Sequence, residues 1–515
     1  MLKKENYLDR YSEEKPFTIL LAGENLNDGI GDFVHLYDFY KYLKEKYKNE
    51  KRIRIQCISF IDDEKLKIIN RVYRTELKIT ESRLESTNDI FLFRTNSESE
   101  SKTVLLELLD KNVNNDLLFL VPVHRGKLED IQSRSHIFLA EYERGNFDAP
   151  EPCNKINDGI WTFQQNMGVA PDRAGIKIIQ PIIEARKVFE EKKDQIPDYE
   201  NKYFRLAKTE DTFLAAGYMQ SEFQADTFIM NSMALAGNKS TINIITNFEK
   251  FNSGNNELFY GEKLNNYIKS FNLSRIEVVS SNGEILFEKN VENANSKKTL
   301  RIIQFKNISE RDKELLFARA DCVGASGDTS CSELISSMAF PCIVKKYEFI
   351  NQLKNQSEQL GLSTLQNYFE LLIKVASLER SSFISDCVTD KNYGVMENTL
   401  FDYNKIPGFI SENHETIESQ WRILCAWIIE NRNVFDFTDC LIAGALKHSA
   451  DQLKPGDIDE MYKSLKSDTK NPSLLSRFNF LNEENKQPNI SNQEEDDKQH
   501  KQSIVNRPGS SQDQH

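Results

Sequence analysis

Two short stretches hold the residues whose types and spacing could do chemistry. The first is Gly23-Glu24-Asn25-Leu26-Asn27-Asp28-Gly29-Ile30-Gly31-Asp32. Gly29 and Gly31 permit tight turning and a close approach of ligand to backbone, and Asp32 stands where a helix would begin. A carboxylate there could be the general base for an incoming hydroxyl or amine. It could equally cap the helix, since Asp is a favoured N-cap. The second stretch is Asp321-Cys322-Val323-Gly324-Ala325-Ser326-Gly327-Asp328-Thr329-Ser330-Cys331-Ser332-Glu333. A short apolar strand runs into a Ser-Gly-Asp-Thr-Ser turn, and the spacing of Ser330 and Glu333 is that of a capping box with Ser330 as N-cap. Amides at a helix start lack intrahelical partners and carry partial positive charge, which suits a phosphate. A well-capped helix that binds nothing would read the same way.

Each stretch needs a strand before it and a helix after it, and the chain supplies both. Apolar runs predict strands over residues 17–22, 53–60, 89–93, 116–123 and 136–140, and the spacing of Val34, Tyr37 and Tyr40 predicts a helix over 33–46. A second set of strands is expected at 213–218, 241–246, 276–280, 300–305, 321–325 and 341–344. Ser309 caps a helix over 310–319, and 257–271 reads mostly as helix. Strands alternating with helices imply parallel sheets covered on both faces. From about residue 355 the strands stop, and helices are expected over 364–378, 415–430, 435–447 and 458–465. This layer lies on the second domain and could reach back to the first. The fold class is therefore α/β, with two doubly wound, Rossmann-like domains and a helical C-terminal extension. Its boundaries are 1–205, 206–355 and 356–470, followed by a largely disordered tail over 471–515, which is poor in aromatics and rich in Asn, Gln, Ser and charge.

Composition narrows the chemistry. The chain has 515 residues, too many for one ordinary core, and a formal net charge of -13 that argues against non-specific nucleic-acid binding. Its eight cysteines form no C-x-x-C pair and no zinc-like cluster with histidine, so they read as reduced residues of a cytoplasmic protein. No signal-peptide pattern opens the chain, and no run of about 18 apolar residues predicts a membrane span. Neither glycine-bearing turn is a GxGxxG fingerprint and no GxxxxGK[ST] occurs, so P-loop and ordinary dinucleotide readings are weak.

The constellation of two α/β domains, each with a glycine-bearing turn at a strand end, resembles the GT-B class of glycosyltransferases. The likeness is best over LRIIQFKNISERDKELLFARADCVGASGDTSCSELISSMAFPCIVKKYEFINQ, and in outline it spans residues 17–351. The N-terminal NDGIGDFVHLYDFYKYL is similar to the Asn-x-Gly-Asp turn of bacterial protein-arginine rhamnosyltransferases, and Phe138-Leu139-Ala140-Glu141-Tyr142 is faintly similar to their Glu-Tyr-Leu segment. The chain departs from that subfamily in carrying Ser-Gly-Asp-Thr-Ser where it has Arg-Gly-Glu-Asp-Ser.

The resemblance implies roles. Asp32 would deprotonate the acceptor. Gly29, Gly31, Ser326, Gly327, Asp328, Thr329, Ser330 and Glu333 would belong to the nucleotide-sugar site, with turn amides and the Thr329 and Ser330 hydroxyls holding the diphosphate. No cofactor is implied beyond a nucleotide-diphosphate sugar as donor substrate, and no metal. Gln304 and Phe305 would meet the base, although Phe305 could be a core aromatic. Tyr218 would approach the sugar or phosphate, or be structural. His35 could assist Asp32, and His124 and Arg125 could face the crevice. Lys345 and Lys346 could offset diphosphate charge, or form a solvated pair, as Asp62 and Asp63 would in a loop. The function implied is a metal-independent, inverting glycosyltransferase acting on a protein, glycan or small molecule. A nucleotide-sugar epimerase and a catalytically inactive GT-B-like interaction module are the alternatives. The Glu-bearing tail from residue 482 also resembles the C-terminal signals of bacterial type IV effectors, which would imply delivery into a host cell.

Overall fold

The computed structural model describes residues 8, 10–24, 31–79, 89–94, 117–120, 135–140, 155–157, 160–170, 173–192, 197–201, 204, 211–219, 222–247, 268–291, 297–305, 308–344, 347–384 and 405–447. The chain divides into two units, Met1–Asp468 and Thr469–His515, and every described residue lies in the first. The helix expected over 458–465 and the tail lie outside the described residues.

Two seven-stranded sheets organise the first unit. The first sheet contains β1 (Phe17–Glu24), β2 (Ile53–Ile61), β3 (Ile90–Arg94), β4 (Leu117–Leu120), β5 (Ser135–Ala140), β6 (Lys155–Asn157) and β7 (Ile160–Asn166), in the order β3-β2-β1-β4-β5-β7-β6. The second contains β8 (Thr212–Gly217), β9 (Thr241–Thr246), β10 (Leu273–Val279), β11 (Ile285–Asn290), β12 (Lys298–Gln304), β13 (Cys322–Ala325) and β14 (Phe340–Ile343), in the order β11-β10-β12-β9-β8-β13-β14. All pairings are parallel except β6 with β7 and β10 with β11. Both doubly wound units expected from the sequence are present.

The apolar runs locate the central strands because a parallel strand is buried on both faces. Phe17, Ile19, Leu20, Leu21 and Ala22 of β1 are all buried, as is every residue of β8, β13 and β14. Strands β6 and β7, paired antiparallel to each other, and β11, antiparallel to β10, are not legible in this way. They carry mixed sequences such as Ile-Leu-Phe-Glu-Lys-Asn, and Ile285 on the edge strand β11 is 52% exposed.

Ten helices complete the described unit: α1 (Gly31–Lys46), α2 (Asp63–Tyr73), α3 (Gln180–Glu191), α4 (Glu222–Ala236), α5 (Glu310–Arg319), α6 (Asp328–Ser337), α7 (Tyr347–Gln359), α8 (Ser363–Ile384), α9 (Lys405–Asn431) and α10 (Val434–Lys447). Ser309 caps α5 as its sequence predicts, accepting from the Asp312 amide at 3.2 Å. Asp62 and Asp63 are not a solvated loop pair. Asp62 caps α2, accepting from the Lys65 amide at 2.8 Å, and Asp63 is the first helical residue.

The C-terminal helices bind both halves of the unit. Ile406, Ile410, Ile417, Trp421, Leu424, Cys425 and Ile428 form a buried stripe on α9 at helical spacing. Trp421 sets its ring edge-on to Phe369 of α8, centroids 6.1 Å apart. Next, α10 reaches back to the first sheet's helix α1. Phe435 stacks on Tyr42 at 4.3 Å and meets Phe39 edge-on at 5.2 Å, and the Tyr42 hydroxyl donates to Asp439 at 2.8 Å. The six described cysteines, Cys57, Cys322, Cys331, Cys342, Cys425 and Cys440, are buried and unbridged. Among the described residues, no helix is long and apolar enough to cross a membrane.

Candidate functional site

In the second sheet the strand order reverses between β8 and β13. In a doubly wound sheet, the crevice outside the carboxyl ends of the strands at such a point is where ligands bind. The two strand ends meet there with Gly217 and Gly324 in register. A Cβ on Gly217 would lie 2.9 Å from Gly324 Cα, and one on Gly324 would lie 2.8 Å from the Phe228 ring. These glycines therefore let two strands and α4 close up. The Ser326 hydroxyl then donates to the Tyr218 carbonyl at 2.6 Å, tying the strand ends together. The Tyr218 ring is left 46% exposed beside the turn.

The turn itself corrects the sequence expectation. Helix α6 begins at Asp328 with Gly327 as its cap, so Ser330 is its third residue rather than its N-cap. The Ser330 hydroxyl accepts from the amides of Ser326 at 3.1 Å and Gly327 at 2.8 Å and donates to the Gly327 carbonyl at 2.8 Å. That hydroxyl and those two amides are committed to holding the turn, not to a ligand. The first intrahelical bond runs from the Cys331 amide to the Gly327 carbonyl, which leaves the amides of Asp328, Thr329 and Ser330 ahead of it as the helix-start donors. Gly327 has a φ of -133°, an extended conformation open to any residue. Glu333 is also reassigned: it lies in the second turn, is buried, and pairs with Lys313 Nζ of α5 at 2.7 Å.

Further along the same sheet edge, Gln304 closes β12 and Thr246 closes β9, in register with each other. Both are buried, and neither Gln304 Nε2 nor Thr246 Oγ1 has a hydrogen-bond partner. Buried polar groups are nearly always satisfied, so adjacent orphans call for an explanation, and a ligand is one. Thr246 was missed in the sequence. Its only signal there is a polar residue ending the apolar run Thr-Ile-Asn-Ile-Ile-Thr. Phe305 follows Gln304, donates its amide to the Thr246 carbonyl at 3.0 Å, and lines a cavity of about 410 Å³. From β12 to β13 is three strand steps, about 14 Å at ~4.8 Å per step.

At the first sheet, α1 begins at Gly31, which puts Asp32 inside its first turn rather than at its cap. Gly29, His124, Arg125, Lys345 and Lys346 lie outside the described residues. His35 is buried, its ring edge-on to Phe39 at 5.4 Å, and its Nε2 has no hydrogen-bond partner. Burial, reinforced by Lys177 and opposed by Asp38, pushes its pKa down to about 3, so it is neutral.

One turn on, a chain of charges ties α1 to the second sheet's helices. Lys177, 2% exposed, pairs with Asp38, and Lys41 joins Asp38 to Glu310 at 3.0 Å each. Lys313 and Glu333 continue the chain to α6. The cations Lys41, Lys177 and Lys313 match the carboxylates Asp38, Glu310 and Glu333 one for one. Glu314 stands beside them unmatched. Burial, then the charge of Glu310, raises its pKa to about 7 against the pull of Lys313 and Lys41. A carboxyl whose folded pKa is raised adds stability that is complete below its ordinary range and lost as pH rises through the folded value. Glu314→Gln should therefore flatten the fall in melting midpoint between about pH 5 and about pH 8. It should also melt a few degrees above the parent at the upper end, measured by calorimetry across pH.

No protein family profile matches the chain, and no curated protein does. Among solved structures, one described as trehalose-6-phosphate from E. coli bound with UDP-2-fluoro glucose is 8% identical, covering 84% of this chain and 99% of that one at a TM-score of 0.42. A glycosyltransferase from Rickettsia africae is 10% identical over 89% of this chain and all of its own, with a TM-score of 0.38. A UDP-GlcNAc 2-epimerase from Methanocaldococcus jannaschii is 11% identical over 64% of this chain and 83% of its own, with a TM-score of 0.32.

Proposed function

We propose that this protein is a glycosyltransferase that takes its sugar from a nucleotide-diphosphate donor, without a metal in the transfer step. The observation that carries this reading is the carboxyl edge of the second sheet. A helix-start turn at the switch point lies two strand steps, about 10 Å, from Thr246 and three steps, about 14 Å, from Gln304, both buried and unpartnered, a span suited to an extended nucleoside diphosphate. The amides of Asp328, Thr329 and Ser330, with the Thr329 hydroxyl, would hold the diphosphate. Gln304, Thr246 and Phe305 would hold the base, and Tyr218 would stand at the sugar end. Fixed donors of this kind stabilise charge as the sugar–phosphate bond breaks.

In the transfer step the acceptor oxygen or nitrogen gives its proton to Asp32 as it bonds to the anomeric carbon. The diphosphate leaves with the bonding electron pair, and the anomeric configuration inverts. The acceptor is a protein, a glycan or a small molecule.

A thermal-shift panel of nucleoside diphosphates and nucleotide-sugars tests the reading. The true donor should stabilise the chain by about 2.7 kcal/mol at a hundredfold excess over its Kd. Thr246→Val and Gln304→Leu should each weaken that response. A panel in which no nucleotide shifts the midpoint would refute the proposal.

A further inference from the structure

The cavity that Phe305 lines is not built by the second sheet alone. Phe305, Ser309 and Asp312 line it together with Glu200, Arg71 and Arg74. The two arginines belong to the end of α2, in the first sheet's half of the unit. At about 410 Å³ the cavity is in the size class of small-molecule sites. It opens where β12 ends, the place assigned above to the base of the donor.

The charges around it are unequally engaged. Asp312 is 2% exposed, and its carboxylate is taken up by the amides of Glu200 at 2.7 Å and Asn201 at 2.9 Å. Arg74, at φ 53° in the helix C-cap, pairs with Glu200 at 2.5 Å. Arg71 lies three residues earlier, in the last turn of α2. It is exposed and makes none of the described ion pairs or hydrogen bonds. A planar cation with no carboxylate on it thus lines the same cavity as an aromatic ring. A guanidinium plane and a phenyl ring offer two stacking faces to a flat heterocycle.

We propose that Arg71 is a donor-binding residue contributed by the N-terminal half of the protein, stacking on the nucleobase across from Phe305. This rests on the nucleotide-sugar reading above. The donor site is then composite, and Arg71 acts on the base end and not on the diphosphate.

The test is calorimetric titration of the full chain with the tightest binder among UDP, GDP, ADP and dTDP, and with pyrophosphate as a second probe. Arg71→Ala should weaken the nucleoside diphosphate roughly tenfold and leave pyrophosphate binding unchanged. Arg71→Lys keeps the charge and loses the plane, and should be nearly as weak as alanine. Because Arg71 is exposed, neither change should move the melting midpoint of the free protein. If the parent chain binds a nucleoside diphosphate and Arg71→Ala binds it equally well, or if Arg71→Lys restores full affinity, the stacking role is wrong while the donor reading stands. If the parent binds none of the four, both fall together.

Discussion

Asp32→Asn is expected to slow sugar transfer by about 10²–10⁴-fold, the usual contribution of a positioned general base, while leaving nucleoside diphosphate affinity where it was. The substitution keeps shape and polarity and removes only the ability to take a proton. Asp32 sits in the first turn of α1, where loss of a negative charge costs about 0.3–1 kcal/mol through the helix dipole. The fold therefore survives, and the melting midpoint serves as the control. Single-turnover transfer or hydrolysis of the donor picked out by the thermal-shift panel is the measurement. Binding without turnover in Asp32→Asn would separate an enzyme from a nucleotide-binding module. Turnover equal to the parent would remove Asp32 from the mechanism and leave the donor site untouched.

Lys177→Met should be the most damaging change away from that site, lowering stability by about 3–5 kcal/mol in urea titration. Lys177 is 2% exposed and pairs with Asp38, whose carboxyl would be left largely out of water with one of its two cations gone. Burial would raise the Asp38 pKa, but Lys177 and Lys41 hold it down at about 2. A depressed carboxyl contributes stability above its ordinary range that is lost as pH falls toward the folded value. The variant should therefore lose less on acidification than the parent does. It should also let His35 titrate closer to its normal range, because Lys177 is one of the groups pushing that imidazole down. Lys177→Met combined with Asp38→Leu should recover most of the loss, since a buried pair exchanged for apolar groups is often neutral. Equal stability of Lys177→Met and the parent would mean that Lys177 does not hold α1 in place.

The strands and helices were legible because they are local. Runs such as Ile-Leu-Leu-Ala and Phe-Leu-Ala-Ala are apolar at every position, as a strand buried on both faces requires. Ser309 announces its helix because a cap bonds an amide three residues on, within one stretch of sequence. The same local rule misplaced Ser330. Its hydroxyl has the spacing of a cap but points back to Ser326 and Gly327, and spacing alone does not say which way a hydroxyl bonds.

Partners from distant segments left no local trace. Glu333 reads as part of the turn until Lys313 takes its carboxylate. Thr246 reads as an ordinary strand residue until its register with Gln304 leaves two buried polar atoms side by side without partners. Arg71 carries no signal in the sequence, and only the placement of α2 brings it to the cavity that Phe305 lines. Residue order settled the two doubly wound sheets and put Gly-Asp and Ser-Gly-Asp-Thr-Ser at strand-to-helix turns, because the patterns that make strands, helices and caps repeat over a few residues. Which of those side chains remain open to a ligand was decided only in three dimensions. Burial and pairing depend on groups that lie tens or hundreds of positions away along the chain.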